Sequence, residues 1–163
     1  MMTTGTSVSF DYDNTLIRYE YVKDEAGNVI DAVYREPHLG NIRLMQQLAN
    51  DGYRVIIVTA REQGLSFPKH DKSPKPEELV KALRLPVDDI YYTANSCKID
   101  TLMENNATLH FDDCEVQCLD MLKHKQKTGL GPLPILVDAP RGINNFLKRK
   151  FKKLIEERNE RSS

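Results

Sequence analysis

The chain is poor in several things that would each have placed it elsewhere. It has 3 cysteines among 163 residues, too few for a disulfide framework and in keeping with a reducing compartment. No apolar run approaches the roughly 20 residues that span a bilayer. The opening "MMTTGTSVSF" lacks a basic stretch followed by a signal-length apolar core. These absences point to a cytoplasmic protein with no membrane partner. Neither sign of charge dominates: 23 Lys and Arg stand against 24 Asp and Glu, for a net −1. That excludes bulk attraction to nucleic acid or anionic lipid and leaves only a local patch able to provide it. Internal repeats, low-complexity tracts and composition breaks are also missing. At this length a single domain, 1–163, with one sizeable core is expected.

What is present alternates between two periodicities. "SVSFDYD" is a β-favouring run, and "RYEYVKDEAGNVIDAVY" has two alternating arms around Gly27-Asn28, the pattern of a hairpin. "HLGNIRLMQQLANDGY" sets Ile42, Leu44, Met45 and Leu48 at helical spacing and stops near Gly52. "YRVIIVTA" is a near-continuous β-branched run, which marks a strand covered on both faces. A polar loop over 62–77 follows. Then come a short helix in "PEELVKALRL" with Pro near its first turn, a strand in "DIYYT" and a helix in "CKIDTLMEN". The chain continues with a strand in "ATLHFDD", a helix in "EVQCLDMLKHKQ" ending near Gly129, and a strand in "LPILVD". A closing basic helix is expected over about 142–160. The alternation predicts an α/β fold, a three-layer Rossmann-like parallel sheet with helices on both faces. The hairpin, about 17–37, is expected as a flap on the sheet's edge.

Ligands of open parallel sheets bind beyond the carboxyl ends of the strands. The first strand ends in Asp11 and Asp13, the "VIIVTAR" strand in Thr59 followed by Arg61, and "LHFDD" in Asp112 and Asp113. Lys98 opens the helix after "IYYTANS". Carboxylates so close together repel unless a cation arrives. Asp11, Asp112 and Asp113 are hard oxygen donors suited to Mg²⁺. Thr59 and Lys98 offer a hydroxyl and a point charge to phosphate oxygens, and backbone N–H groups after Asp11 can hold the rest. One carboxylate could then attack phosphorus, and a second could move the protons.

"DYDNT", "VTAR", Lys98 and "DD", in that order, resemble the four motifs of the haloacid dehalogenase (HAD) superfamily of phosphohydrolases, over about residues 8–138. The resemblance implies that Asp11 is the nucleophile and Asp13 the general acid/base. It implies that Asp11, Asp13 through its backbone carbonyl, and Asp112 hold Mg²⁺, with Asp113 in or beside that set. It also implies that Tyr12, Thr59, Ala60, Arg61 and Lys98 line the phosphoryl and substrate site. The small insert, the Arg directly after "TA" and the short chain are similar to the 3′-phosphatase domains of phage polynucleotide kinases. Two departures stand out: Cys114 follows the acidic pair where those domains usually carry Arg, and Asn14 replaces the commoner Gly before Thr15. The implied substrate is a phosphorylated small molecule, such as a nucleotide, or a nucleic-acid end.

Other readings compete. A phospho-receiver also groups acids, Thr and Lys around Mg²⁺. Its acceptor Asp, however, lies on a middle strand, and it lacks a counterpart of Asp13. A degenerate scaffold acting by partner binding would not need all four motifs intact. Arg61 either contacts a phosphate or pairs with a nearby acid. Lys69, His70, Lys72 and Lys75 read as a solvated loop or as an entrance for an anion. Cys97, His110, Cys114 and Cys118 lack the CxxC knuckles of structural zinc and read as buried free cysteines and a histidine. In the closing helix Phe146, Leu147, Phe151, Leu154 and Ile155 form an apolar stripe for the sheet. Lys148, Arg149, Lys150, Lys152 and Lys153 form its wet face, or a nucleic-acid contact.

Overall fold

Strand β1 (Ser7–Phe10) is buried at all four positions, which a strand can be only with neighbours on both edges and cover on both faces. The structure, a computed structural model, describes residues 6–63 and 72–137. The expected closing helix, and Lys69 and His70, lie outside them. After β1 come β2 (Ile17–Lys23), β3 (Val29–Pro37), α1 (Leu39–Asn50), β4 (Arg54–Thr59) and α2 (Pro76–Leu83). Then follow β5 (Asp89–Tyr92), α3 (Ile99–Glu104), β6 (Ala107–Asp112), α4 (Glu115–Thr128) and β7 (Leu133–Leu136).

The main sheet has the order β5-β4-β1-β6-β7, and every neighbouring pair in it is parallel. The chain first builds outward from β1 through β4 to β5. It then returns to the other side of β1 for β6 and β7. The carboxyl ends of β1, β4 and β6 therefore meet where the direction of winding reverses, the usual crevice of open α/β sheets.

Alternation along the strands sorts the core into two layers. Val8, Phe10, Val55 and Ile57 join a cluster with Ile42 and Met45 of α1 and Leu79 of α2. Ile56 and Val58 point the other way, to Leu102 of α3 and Met121 of α4. The sheet is thus flanked by helices on both sides, an α/β arrangement consistent with a Rossmann-like fold. Phe10 and Phe111 stack with ring centroids 4.6 Å apart and tie β1 to β6.

The hairpin arms form a separate two-stranded antiparallel sheet, β2-β3. Its turn closes with the Asn28 N–H donating to the Asp24 carboxylate at 2.9 Å, and Gly27 takes the left-handed φ of 85° that this turn needs. Tyr19 is buried against the α1/α2 core, and Tyr34 meets it edge-on. The outer face carries the exposed Glu20–Arg35 ion pair. Helix α1 starts at His38, whose Nδ1 accepts from the Asn41 N–H, while the Asn41 side chain donates to the Thr15 carbonyl at 2.8 Å. That bond anchors the helix to the loop after β1. No helix among the described residues is long and apolar enough to cross a membrane.

Candidate functional site

Asp11 is the first residue past β1, and its N–H donates to the Phe111 carbonyl of β6 at 2.8 Å. The ladder between the two strands therefore continues to the strand tip and sets Asp11 beside Asp112. The next residues turn back sharply: the N–H groups of Thr15 and Leu16 both donate to the Tyr12 carbonyl. Asn14 sits at φ 62° in that turn. Asn tolerates left-handed backbone better than other residues with a β-carbon, which is why it can stand at this turn. Its Nδ2 donates to the Tyr21 hydroxyl at 2.6 Å.

Three carboxylates converge. Asp11, Asp112 and Asp113 can each offer an oxygen, with all three oxygens within 4.8 Å of one another. Lys98, the residue before α3, reaches between two of them. Its Nζ donates to Asp11 Oδ1 and to Asp112 Oδ2, each at 2.9 Å, from a buried position. Asp112 has further donors: its Oδ1 accepts from the Cys114 N–H at 3.0 Å, and its Oδ2 lies 2.8 Å from His110 Nε2. Asp11 has fewer, with a Thr15 Oγ1 contact of 3.4 Å.

That asymmetry decides where the negative charge settles. Burial opposes ionisation of Asp112, but Lys98 and His110 outweigh it and hold the carboxyl well below its ordinary range. Asp11 is raised well above its range, first by burial and then by the Asp112 charge, although Lys98 touches it too. Asp113 is pushed up to about 6 by burial and by Asp112. Burial works against the Lys98 charge as well, yet Asp11 and Asp112 more than compensate and raise it. Buried His110 is lowered, by desolvation first. Ionised together, the three carboxylates would outweigh the one ammonium, and it is this mutual repulsion with burial that raises Asp11 and Asp113. The donors are hard oxygens, the set that Mg²⁺ or Mn²⁺ takes. The residues therefore fit a divalent cation.

Asp13 stands apart from this group. Its Oδ2 accepts from Arg61 Nε at 2.9 Å, and its Oδ1 accepts from Arg61 Nη2 at 2.6 Å and from the Tyr19 hydroxyl at 2.9 Å. Of the two sequence readings of Arg61, pairing with a nearby acid is the one this arrangement adopts. Arg61 also donates to Ser73 Oγ at 3.1 Å and lies 4.9 Å above the Tyr12 ring. Tyr12 itself is fully buried, with its hydroxyl donating to the Pro74 carbonyl, so a ligand contact from Tyr12 falls to its backbone. Thr59 is buried at the tip of β4, where its Oγ1 accepts from the Arg61 N–H at 3.2 Å. The Ala60 carbonyl accepts from the Asn95 N–H at 2.8 Å. This bond, with the left-handed Ala94 and Asn95, ties the β4 tip to the loop that delivers Lys98.

The strand-end reading thus brings together Asp11, Lys98, Asp112 and Asp113, with Thr59, Ala60 and Arg61 on the adjoining strand tip. It missed Tyr19, Ser73 and Ser9. Tyr19 and Ser73 reach Asp13 and Arg61 from the hairpin and from the loop before α2, and no spacing rule points to either. Ser9 had a signal, a polar residue inside a buried run, but its partner His110 is 101 positions away along the chain. Among the cysteines Cys118 is buried, Cys114 is half-buried and Cys97 is exposed. The expectation of burial fails for Cys97 because it lies in the turn before α3. His110 is buried, with two side-chain partners, Ser9 and Asp112. Comparison with protein-family models and with curated proteins finds no match for the chain.

Proposed function

We propose that the chain is a Mg²⁺-dependent phosphomonoesterase of the HAD type, working through an aspartyl-phosphate on Asp11. The observation that carries this reading is the meeting of Asp11, Lys98, Asp112 and Asp113 at the switch point of a parallel sheet. Asp11, Asp112 and Asp113 would hold the ion. Bound there, it would neutralise carboxylates and phosphate oxygens that otherwise repel each other. Asp11 attacks phosphorus through a carboxylate oxygen as the bond to the ester oxygen breaks. Lys98, which already touches Asp11, turns its ammonium to the equatorial oxygens. Asp13 gives a proton to the departing alkoxide. It then takes one from the water that attacks phosphorus, which returns Asp11 as a carboxylate and releases inorganic phosphate.

Asp13 accepts at both oxygens in the arrangement described. It must rotate off Arg61 to carry a proton to a leaving group. Tyr19 couples that rotation to the hairpin, which supports a flap role for β2-β3. The substrate class that suits a small insert is a phosphorylated small molecule, such as a nucleotide, or a nucleic-acid end.

Asp11→Asn tests the reading. It should abolish p-nitrophenyl phosphate hydrolysis in Mg²⁺ while the circular dichroism spectrum stays that of the parent. Removal of Mg²⁺ with EDTA should do the same to the parent. Equal turnover by parent and variant would reject Asp11 as nucleophile. No turnover by either, against nucleotides, sugar phosphates and 3′- or 5′-phosphorylated oligonucleotides, would favour a scaffold acting through partners.

A further inference from the structure

His110 is fully buried and plays no part in the reaction just described. It faces two polar groups. Its Nδ1 lies 2.9 Å from Ser9 Oγ and its Nε2 lies 2.8 Å from Asp112 Oδ2. Ser9 is equally buried, and it is the register partner of His110 across the β1–β6 ladder. Residues paired in this way point to the same face of the sheet. Asp112 stands two residues beyond His110 on β6 and returns to that face. The three side chains therefore form a line inside the layer between sheet and α3/α4, fixed by strand register rather than by loops.

The chemistry of the line sets its protons. Asp112 Oδ2 also accepts from Lys98, and its Oδ1 accepts from the Cys114 N–H. A carboxylate that receives an ammonium and a backbone N–H is ionised and can only accept. The proton between it and His110 therefore belongs to Nε2. When the ring is neutral its lone pair is then on Nδ1, and the Ser9 hydroxyl donates to it. Each group has a partner in one sense only, so the line has one direction: Ser9 to His110 to Asp112.

We propose that Ser9 and His110 are positioning residues for a divalent cation: Ser9 fixes the imidazole, and the imidazole fixes the rotamer in which Asp112 presents its carboxylate to the ion. This deepens the reading of the site given above, since it rests on Asp112 being a ligand. Outer partners that hold a ligand in this way are worth roughly 10–100-fold in metal affinity. They do so by removing the reorientation that a free carboxylate undergoes on binding. His110 touches no substrate in this scheme. Its removal changes how tightly the ion is held and how much ion turnover needs, not the rate once the site is filled.

The test uses the full chain and Mn²⁺ as the probe. In the parent, ¹⁵N-histidine NMR should show His110 neutral with its proton on Nε2. His110→Leu should weaken Mn²⁺ binding, followed by electron paramagnetic resonance, by about 10–100-fold. His110→Gln, whose amide can donate near the Nε2 position, should recover most of the loss. Hydrolysis by the variants should return towards the parent kcat as Mg²⁺ is raised. An Nδ1–H tautomer, or unaltered Mn²⁺ affinity in His110→Leu, would overturn the proposal. Should His110→Leu not fold, the parent tautomer and Mn²⁺ binding by Ser9→Ala decide the matter, with unchanged affinity again counting against it. Tautomer and Mn²⁺ affinity are read without substrate. They can fail while Asp11→Asn still abolishes turnover, and they can hold if it does not.

Discussion

Lys98 donates to two carboxylates from the interior, so its loss would leave those acids facing each other with nothing positive between them. Removing one member of a buried ion pair is far costlier than never having had the pair. Lys98→Met should lower the free energy of unfolding by about 3 kcal/mol in EDTA, the low end of the usual range because Asp11 can take up a proton instead. Added Mg²⁺ should return part of the loss. Denaturant titrations with and without the ion measure both effects, and an unchanged midpoint in EDTA would mean that the amine carries no net weight. Much of this was legible residue by residue: the acids, the threonine and the lysine each stand at the end of a strand or the start of a helix. The partner of Asp13 was not. Arg61 is 48 positions away along the chain, and which of two plausible tasks it performs depends on a side chain from the hairpin.

The elements followed their sequence signals closely, for physical reasons. "RVIIVT" is apolar at successive positions because β4 is covered on both faces. Helix α4 ends at Gly129 because that position needs φ 73°. Helix α2 ends differently. Its cap is Arg84, at φ 50° and ψ 49°, a conformation that costs a residue with a β-carbon on the order of 1 kcal/mol. Arg84→Gly should therefore raise the unfolding free energy by about 0.5–1 kcal/mol and leave hydrolysis unaltered, because the helix C-terminus lies at the rim opposite the strand tips. Chemical denaturation checks the first part and p-nitrophenyl phosphate turnover the second. A loss of stability would mean that the arginine side chain does more at that cap than its backbone strain suggests. Strand β1 forms where its β-favouring run placed it, and all four of its positions are buried. Its serines, alternating with Val8 and Phe10, lie on the face turned to the α3/α4 layer, and Ser9 meets His110 of the neighbouring strand there. Only the register of two strands some 100 residues apart makes the pairing visible.

For the molecule as a whole, the acidic cluster links folding to pH and, on the function proposed above, to metal. Asp113, pushed up to about 6, and Asp11, also raised, hold protons more tightly folded than unfolded. Their contribution to stability is therefore fully present below the unfolded carboxylate range, around pH 4; that of Asp113 is lost as pH rises through about 6, and that of Asp11 as pH rises further through its own raised range. Asp112, lowered, acts in the opposite sense, and its contribution persists until strong acid. Above pH 6 a divalent cation can take over the charge balance that the protons supplied. The Mg²⁺-induced rise in melting temperature should accordingly be small below that range and larger above it. Calorimetric titrations in buffers of different ionisation enthalpy should show proton release on binding. An equal thermal shift on both sides of pH 6, with no protons released, would place the ion elsewhere. Sheet order explains why this centre could be anticipated and its balance could not. Three strand ends meet wherever a parallel sheet reverses its winding, but which acid keeps its proton depends on neighbours that only packing supplies.

The ammonium between Asp11 and Asp112 has one more consequence. A nascent chain that had to bury these acids bare would depend on magnesium at the moment of collapse. This one brings its own counter-ion, Lys98, on the residue before α3, so on the reading proposed above the scaffold can assemble in ion-poor surroundings and take up the ion later. On that reading, loading would be an exchange at a finished site, governed by supply rather than by synthesis.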